Sequence, residues 1–197
     1  SRKALALLAG AVAGHPDRDM NLVGITGTNG KTTCAFLLAD ILTRAGQPAG
    51  MISTISNRVG NLWQPAERTT PEAPDLYRLL VDMKSSGCRS AVMEVSSHAL
   101  ELHRVYGLKF AAAAFTNLTQ DHLDFHGDIE SYFATKAKLF TEYDCGTAVI
   151  NSDDPYGRRL VKMARSPVIT YGLEAEADIR GLDLQVSVEG LAMRVRT

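Results

Sequence analysis

Gly24-Ile25-Thr26-Gly27-Thr28-Asn29-Gly30-Lys31-Thr32-Thr33 decides the fold, because it joins a short apolar run to an amphipathic stretch. Leu22–Thr26 reads as a buried strand, and Lys31–Ala45 as a helix closed by Gly46. Glycines at such a junction let backbone N–H groups approach an anion closely, and the helix N-terminus adds a favourable dipole. Lys31 can reach the β- and γ-phosphates of a nucleotide, and the Thr32 hydroxyl can ligate Mg²⁺. The GxxxxGK[ST] spacing misses by one place, since the position that wants glycine is Ile25. The stretch is nonetheless a nucleotide-phosphate site.

Outward from it, apolar runs alternate with helical periodicity, the pattern of a mostly parallel sheet flanked by helices. Ala49–Ser53, Ala91–Val95, Phe110–Phe115, Thr147–Ile150 and Val168–Tyr171 are predicted strands. Leu76, Leu79, Leu80 and Met83 mark a helix ending before Gly87, and a short helix spans Ala99–Val105. Asp128 is placed to cap a helix running to about Phe140, and another covers Tyr156–Ala164. Residues 55–71 lack periodicity and read as one long loop. Beyond residue 177, Leu182, Leu184, Val186 and Val188 alternate, Glu189-Gly190 looks like a turn, and Leu191, Met193 and Val195 alternate again. That is a C-terminal β-hairpin, marginal unless something covers it, as if cut from a longer protein. The fold class is therefore α/β, a P-loop-type sheet with a terminal hairpin.

The chain has 197 residues, 21 Lys+Arg against 22 Asp+Glu, and a net charge of -1, so polyanion binding through counterion release is disfavoured. No apolar run approaches the ~20 residues of a membrane span, and Ala4–Ala13 reads as a helix rather than a signal segment. Cys34, Cys88 and Cys145 are sparse and odd in number, which fits a reducing cytoplasm and no cysteine chemistry.

Ligands of an open α/β sheet bind at the carboxyl ends of its strands. Glu94 sits at one such end and can hold Mg²⁺ directly or through water. Ser97 and His98 can bind substrate or cap the next helix, and the sequence leaves both open. Asp121, His122, Asp124 and His126 crowd the next strand end, where a ligand or phosphate role suits His122 better than zinc. Lys136 and Lys138 lie on the helix that follows; spacing alone reads both as solvated surface groups and does not separate them.

These strings resemble the Mur ligase family, and within it the UDP-N-acetylmuramoyl-tripeptide synthetases that add the third peptide residue in peptidoglycan assembly. The resemblance rests on the phosphate loop, Thr69-Thr70-Pro71, Glu94-Val95-Ser96-Ser97-His98, His103-Arg104-Val105, Thr116-Asn117 through Gly127, and the Tyr132–Phe140 helix. It implies an ATP-dependent acid–amino-acid ligase acting through an acyl phosphate on a UDP-muramoyl-dipeptide. Carried over, Gly27, Thr28, Asn29, Gly30, Lys31, Thr32 and Thr33 cradle ATP, with Asn151 near the adenine. Thr32 and Glu94 hold one Mg²⁺, and His122 serves a second with Lys136, which matches the family's carbamylated lysine. Lys31, Glu94, His122 and Lys136 thus form the catalytic set. Thr69, Thr70, Ser97 and Arg104 match positions that bind the UDP-muramoyl-peptide. Leu102 stands where some members carry glutamine, and Arg68 replaces an asparagine.

The resemblance further implies that 1–16 is a connector from a uridine-binding domain before Ser1. It makes 17–197 the central ATP-binding domain, with a ligase domain after Thr197. On that reading the chain alone is an ATP-binding core without turnover, from a cytoplasmic monomer whose partners are the nucleotide-sugar peptide and an amino acid, with no nucleic acid and no membrane. The alternatives are a folylpolyglutamate- or cyanophycin-type ligase, or a P-loop binding module without ligase chemistry. A GTPase is disfavoured, since no Asn-Lys-x-Asp guanine reader is present.

Overall fold

The computed structural model spans residues 1–197 and describes all but His122, Glu189 and the side chain of Leu123. Ten strands form one sheet: β1 (Asn21–Thr26), β2 (Ala49–Ile52), β3 (Ser56–Val59), β4 (Leu62–Pro65), β5 (Ser90–Glu94), β6 (Lys109–Phe115), β7 (Asp144–Asn151), β8 (Val168–Gly172), β9 (Ile179–Ser187) and β10 (Gly190–Arg196). Their order is β10-β9-β8-β7-β6-β1-β5-β2-β3-β4. From β2 to β9 across the middle, neighbours pair parallel; β3, β4 and β10 pair antiparallel. β1 lies between β5 and β6, so the chain leaves it in one direction and later returns on its other side. That reversal opens a crevice at the carboxyl ends of the strands.

The helices are α1 (Arg2–Val12), α2 (Lys31–Arg44), α3 (Ala73–Ser85), α4 (Ser97–Glu101), α5 (Leu123–His126), α6 (Ile129–Thr141) and α7 (Pro155–Val161). α2 covers one face of the sheet, where Ala35 and Ala39 meet Ile25, Met51 and Val92. The small alanines let the helix lie close to the strands. The opposite face carries the larger core, in which Leu76 and Leu80 of α3, Tyr132 and Phe140 of α6 and Leu160 of α7 pack over Leu22, Phe110, Phe115 and Ile150. Burial of these side chains, at about 25 cal/mol per Å², is the main force holding the layers. Asp128 caps α6, its Oδ1 accepting from Ser131 N at 2.7 Å. Among the described residues no helix is long and apolar enough to cross a membrane.

Two expectations need correction, and the terminal hairpin holds. Residues 55–71 are not one loop: β3 and β4 form a hairpin around Gly60-Asn61 that extends the sheet from β2. The helix expected at Ala99–Val105 is α4, ending at Glu101, and its N-cap is Ser96, whose hydroxyl accepts from Ala99 N. Ser97 and His98 are therefore not the cap. The expected terminal hairpin is formed by β9 and β10, and it is supported by the sheet, since β9 pairs parallel with β8 through Tyr171↔Ile179 and Gly172↔Arg180. Its expected turn falls on Glu189, outside the described residues.

Candidate nucleotide site at the strand ends

Residues 27–33 leave β1 and wrap into the N-terminus of α2, where Gly30 at φ 85° is the cap. Gly27, at φ 143°, runs so close to β6 that an added Cβ would overlap the Thr116 hydroxyl. That contact is part of a seam. Thr116 Oγ1 donates to Asn29 O at 2.7 Å, Asn117 Oδ1 accepts from Asn29 N at 3.0 Å, and Asn117 Nδ2 donates to Asn29 O at 3.1 Å. Thr28 N donates to Asn117 O at 2.8 Å, and Thr28 Oγ1 accepts from Thr119 N at 3.0 Å. The segment after β6 thus holds the phosphate loop by backbone and amide contacts.

Glu94 ends β5 fully buried. Its Oε1 accepts from Thr32 Oγ1 and from Thr54 N, both at 2.8 Å, while Oε2 accepts from Thr54 Oγ1 at 3.1 Å. A hydroxyl and a carboxylate oxygen therefore converge at the mouth of the loop. Hard oxygen donors of this kind suit Mg²⁺, which binds one or two protein oxygens together with substrate phosphates and waters. Among the described residues no three His, Cys, Asp or Glu side chains converge as a metal site. His122 lies outside the described residues.

Two lysines meet the same carbonyl. Lys31 Nζ donates to Gly27 O at 3.0 Å and Thr28 O at 2.8 Å; Lys136 Nζ donates to Gly27 O at 2.8 Å. Burial lowers the Lys31 pKa, opposed by the charges of Glu94 and Asp121. Lys136 is 1% exposed, and burial first, then the neighbouring charge of Lys31, lower its pKa to about 7. Lys138 is different: it points away to Glu101 at 2.6 Å. The expectation that both are solvated fails for Lys136, because Tyr132, Phe133, Lys136, Ala137 and Phe140 fall on one buried helical stripe and Lys138 does not.

The four residues expected at the acid substrate lie next to this centre, in unequal roles. Thr69 Oγ1 lies 3.1 Å from Thr54 Oγ1, within hydrogen-bond distance. Thr70 is fully buried, donates to Glu94 O at 2.8 Å and accepts from Ser96 N at 3.1 Å, so it fastens its loop to the end of β5. Arg104 donates to Thr70 O at 3.0 Å and stands 2.9 Å from Glu72 Oε1, an ion pair in which its Nε–H is not aligned as a hydrogen bond. Ser97 Oγ lies 2.9 Å from His126 Nε2, within a cluster in which the rings of His98 and Phe125 are 4.1 Å apart. Asn151 Nδ2 donates to Thr116 O at 2.8 Å, fixing β7 to the seam. Sequence reasoning missed Thr54, which sits just past the carboxyl end of β2, where the strand-end rule already pointed. A cavity of about 760 Å³, lined by Lys3, Leu7, His103, Tyr106 and Tyr143 among others, is elsewhere, near the amino ends of β6 and β7.

Residues 25–197 match the model of the Mur ligase middle domain. The chain belongs to the Mur ligase family. This Mur ligase chain is 48% identical over 199 residues to the "UDP-N-acetylmuramoyl-L-alanyl-D-glutamate–2,6-diaminopimelate ligase" of Geobacter sulfurreducens, covering 98% of the chain and 39% of the relative. It is 45% identical over 195 residues to the protein of that name from Aquifex aeolicus, covering 99% and 40%. A solved structure titled as the same kind of ligase superposes with a TM-score of 0.83 at 30% identity, over 95% of this chain and 40% of that one. The folylpolyglutamate synthase of Mycobacterium tuberculosis, complexed with ADP and AMPPCP, superposes at 0.75 with 18% identity over 98% and 51%, a likeness of fold. The Mur ligase chain thus spans about two fifths of the length of the curated relatives it matches.

Proposed function

We propose that the whole protein is an ATP-dependent ligase that joins 2,6-diaminopimelate, as third residue, to a UDP-N-acetylmuramoyl-dipeptide. Residues 17–197 would be its central ATP-binding domain and 1–16 the connector from a uridine-binding domain, with a further domain bringing the amino acid. The names and lengths of the relatives support this. We place the enzyme in the cytoplasm as a monomer. In this reading the chain alone binds nucleotide without turnover, because the reacting groups must be enclosed by the other domains.

The observation that carries the proposal is Lys136. A plain P-loop module has no use for a buried amine against its phosphate loop, whereas a ligase of this family does. With its pKa lowered to about 7, a large fraction of the amine is neutral near pH 7. The nitrogen lone pair then attacks CO₂, an N–C bond forms and one proton leaves to solvent, giving a carbamate. The site's net charge thereby changes from one suited to phosphate alone to one suited to a second cation. The oxygen donors present fit Mg²⁺: Thr32 and Glu94 would hold one ion, and Lys136 carbamate with His122 the other. Such ions spread the negative charge that gathers on the transferred phosphoryl.

The chain's own groups do the positioning. Backbone N–H groups of 27–33 and the α2 dipole hold the phosphates. Lys31 exchanges the carbonyls of Gly27 and Thr28 for phosphate oxygens. Thr69, Thr70, Ser97 and Arg104 orient the acid substrate so that its carboxylate attacks the γ-phosphorus and ADP leaves. The amine of the incoming amino acid then displaces phosphate from the acyl phosphate. Asn151 borders the base.

The test is a ligase assay on the whole protein with 2,6-diaminopimelate and UDP-muramoyl-dipeptide, beside Mg-ATP titration of Lys31→Ala and Lys136→Ala variants. Loss of nucleotide affinity in the first, and loss of turnover that bicarbonate does not restore in the second, is expected. Unchanged affinity in Lys31→Ala, or turnover in Lys136→Ala, would overturn the assignment.

A further inference from the structure

We infer that Tyr132 is a positioning residue that ties Lys136 to the phosphate loop. It rests on the reading of Lys136 and the loop given above. Tyr132 lies one helical turn before Lys136 on α6, and residues four apart share a face. It is 1% exposed, and the Lys136 Nζ stands over its ring, 4.5 Å from the centroid. The phenol oxygen lies 3.5 Å from Thr28 Oγ1. Lys136 itself donates to Gly27 O. One helix thus grips two consecutive residues of the phosphate loop with two side chains, and the ring of one supports the amine of the other.

The other edge of the ring faces the substrate side. The His126 ring is tilted by 40° against that of Tyr132 with their centroids 5.0 Å apart, and its Nε2 is 2.9 Å from Ser97 Oγ. Tyr132 therefore stands between the loop that carries nucleotide and the helix that carries Ser97. Its two halves do separate jobs. The hydroxyl fixes Thr28, and so the loop's fit to the phosphates. The ring fixes the direction in which the Lys136 side chain enters the site, its Nζ standing over that aromatic face.

The experiment uses the whole protein, with KM for Mg-ATP and kcat measured on Tyr132→Phe and Tyr132→Leu, and Lys136 carbamate read by ¹³C NMR in ¹³C-bicarbonate. Tyr132→Phe keeps the ring; the expected result is KM raised about two- to tenfold, the worth of one weak hydrogen bond, with kcat and the carbamate signal unchanged. Tyr132→Leu removes the ring; kcat is expected to fall about fivefold or more, the scale of a catalytic group left misplaced, with a shifted or broadened carbamate signal. Equal effects of the two variants on both constants would overturn the division of labour, and wild-type constants in Tyr132→Leu would overturn the inference altogether. Should Tyr132→Leu fail to fold, a double-mutant cycle of Tyr132→Phe with Thr28→Val decides: coupled effects on KM support the link, additive ones refute it. If Lys136→Ala retains turnover, the underlying reading fails, whatever the Tyr132 variants do.

Discussion

Replacing Gly27 with alanine would put a methyl group into the space held by the Thr116 hydroxyl, with the Asn117 carbonyl 3.0 Å and its amide nitrogen 3.1 Å away. None of these is the free end of a flexible chain: Thr116 leaves β6, and the other two atoms are backbone. The residue also sits at φ 143°, which costs an alanine about 1–3 kcal/mol. Moving Thr116 aside breaks its bond to Asn29 O, a further ~0.5–1.5 kcal/mol. The expected loss in urea unfolding is therefore about 2–4 kcal/mol. Gly30 gives the control. It also has positive φ, at 85°, yet an added Cβ meets nothing within 4 Å. Gly30→Ala should cost only about 1–2 kcal/mol of stability from backbone strain. In both variants Mg-ATP affinity should fall, since both methyl groups disturb the phosphate cradle. Equal unfolding midpoints for the two variants would refute the claim that close packing against β6, rather than backbone conformation, demands glycine at position 27.

Other outcomes follow from single contacts. Lys136 protonates near pH 7 when folded and near its usual value when unfolded. The unfolded chain therefore binds more protons between pH 7 and about 10.5, and stability should rise with pH across that window. Lys136→Met should flatten the rise and be the more stable form at pH 7, on the order of 2–4 kcal/mol; an unchanged pH profile of thermal melts would contradict the buried amine. Thr70→Val leaves the Ser96 amide without its acceptor and should cost about 2–3 kcal/mol in urea unfolding. A stable Thr70→Val would mean that Thr70 serves substrate alone. Glu94→Gln turns an amide N–H₂ toward the donors of Thr32 or Thr54, so calorimetry should show nucleotide binding that no longer depends on added Mg²⁺; retained Mg²⁺ dependence would exclude Glu94 from holding the ion.

The strand–loop–helix around residues 24–33 and the place of Glu94 at the end of β5 were legible because glycine chemistry and strand periodicity act locally, and both survive folding unchanged. The β3–β4 hairpin was not, since four-residue strands carry too little alternation and Asn57 and Arg58 are polar. Those strands exist through their pairing with β2: Met51 faces Arg58, and Arg58 reaches over to donate to Ala39 O and Ala49 O. Lys136 hid for another reason. A lysine on a helix reads as solvated unless its neighbours at three and four residues are weighed, and here they are Phe133, Tyr132 and Phe140. The choice left open at Ser97 and His98 is decided by the cap at Ser96, one residue earlier, within the range where local hydrogen bonding, not periodicity, sets a helix start. The packing of Asn29 against Asn117, 88 residues apart, had no local signal at all.

That last contact bears on transplantation. Thr28 N and Asn29 N find their acceptors not in their own loop but in Asn117, its backbone carbonyl and its side-chain amide oxygen. Residues 24–33 grafted onto a foreign sheet would arrive with two donors stranded and with their curvature unsupported. What can be moved between scaffolds is a two-piece joint, 24–33 together with 115–119, held at the spacing of adjacent parallel strands.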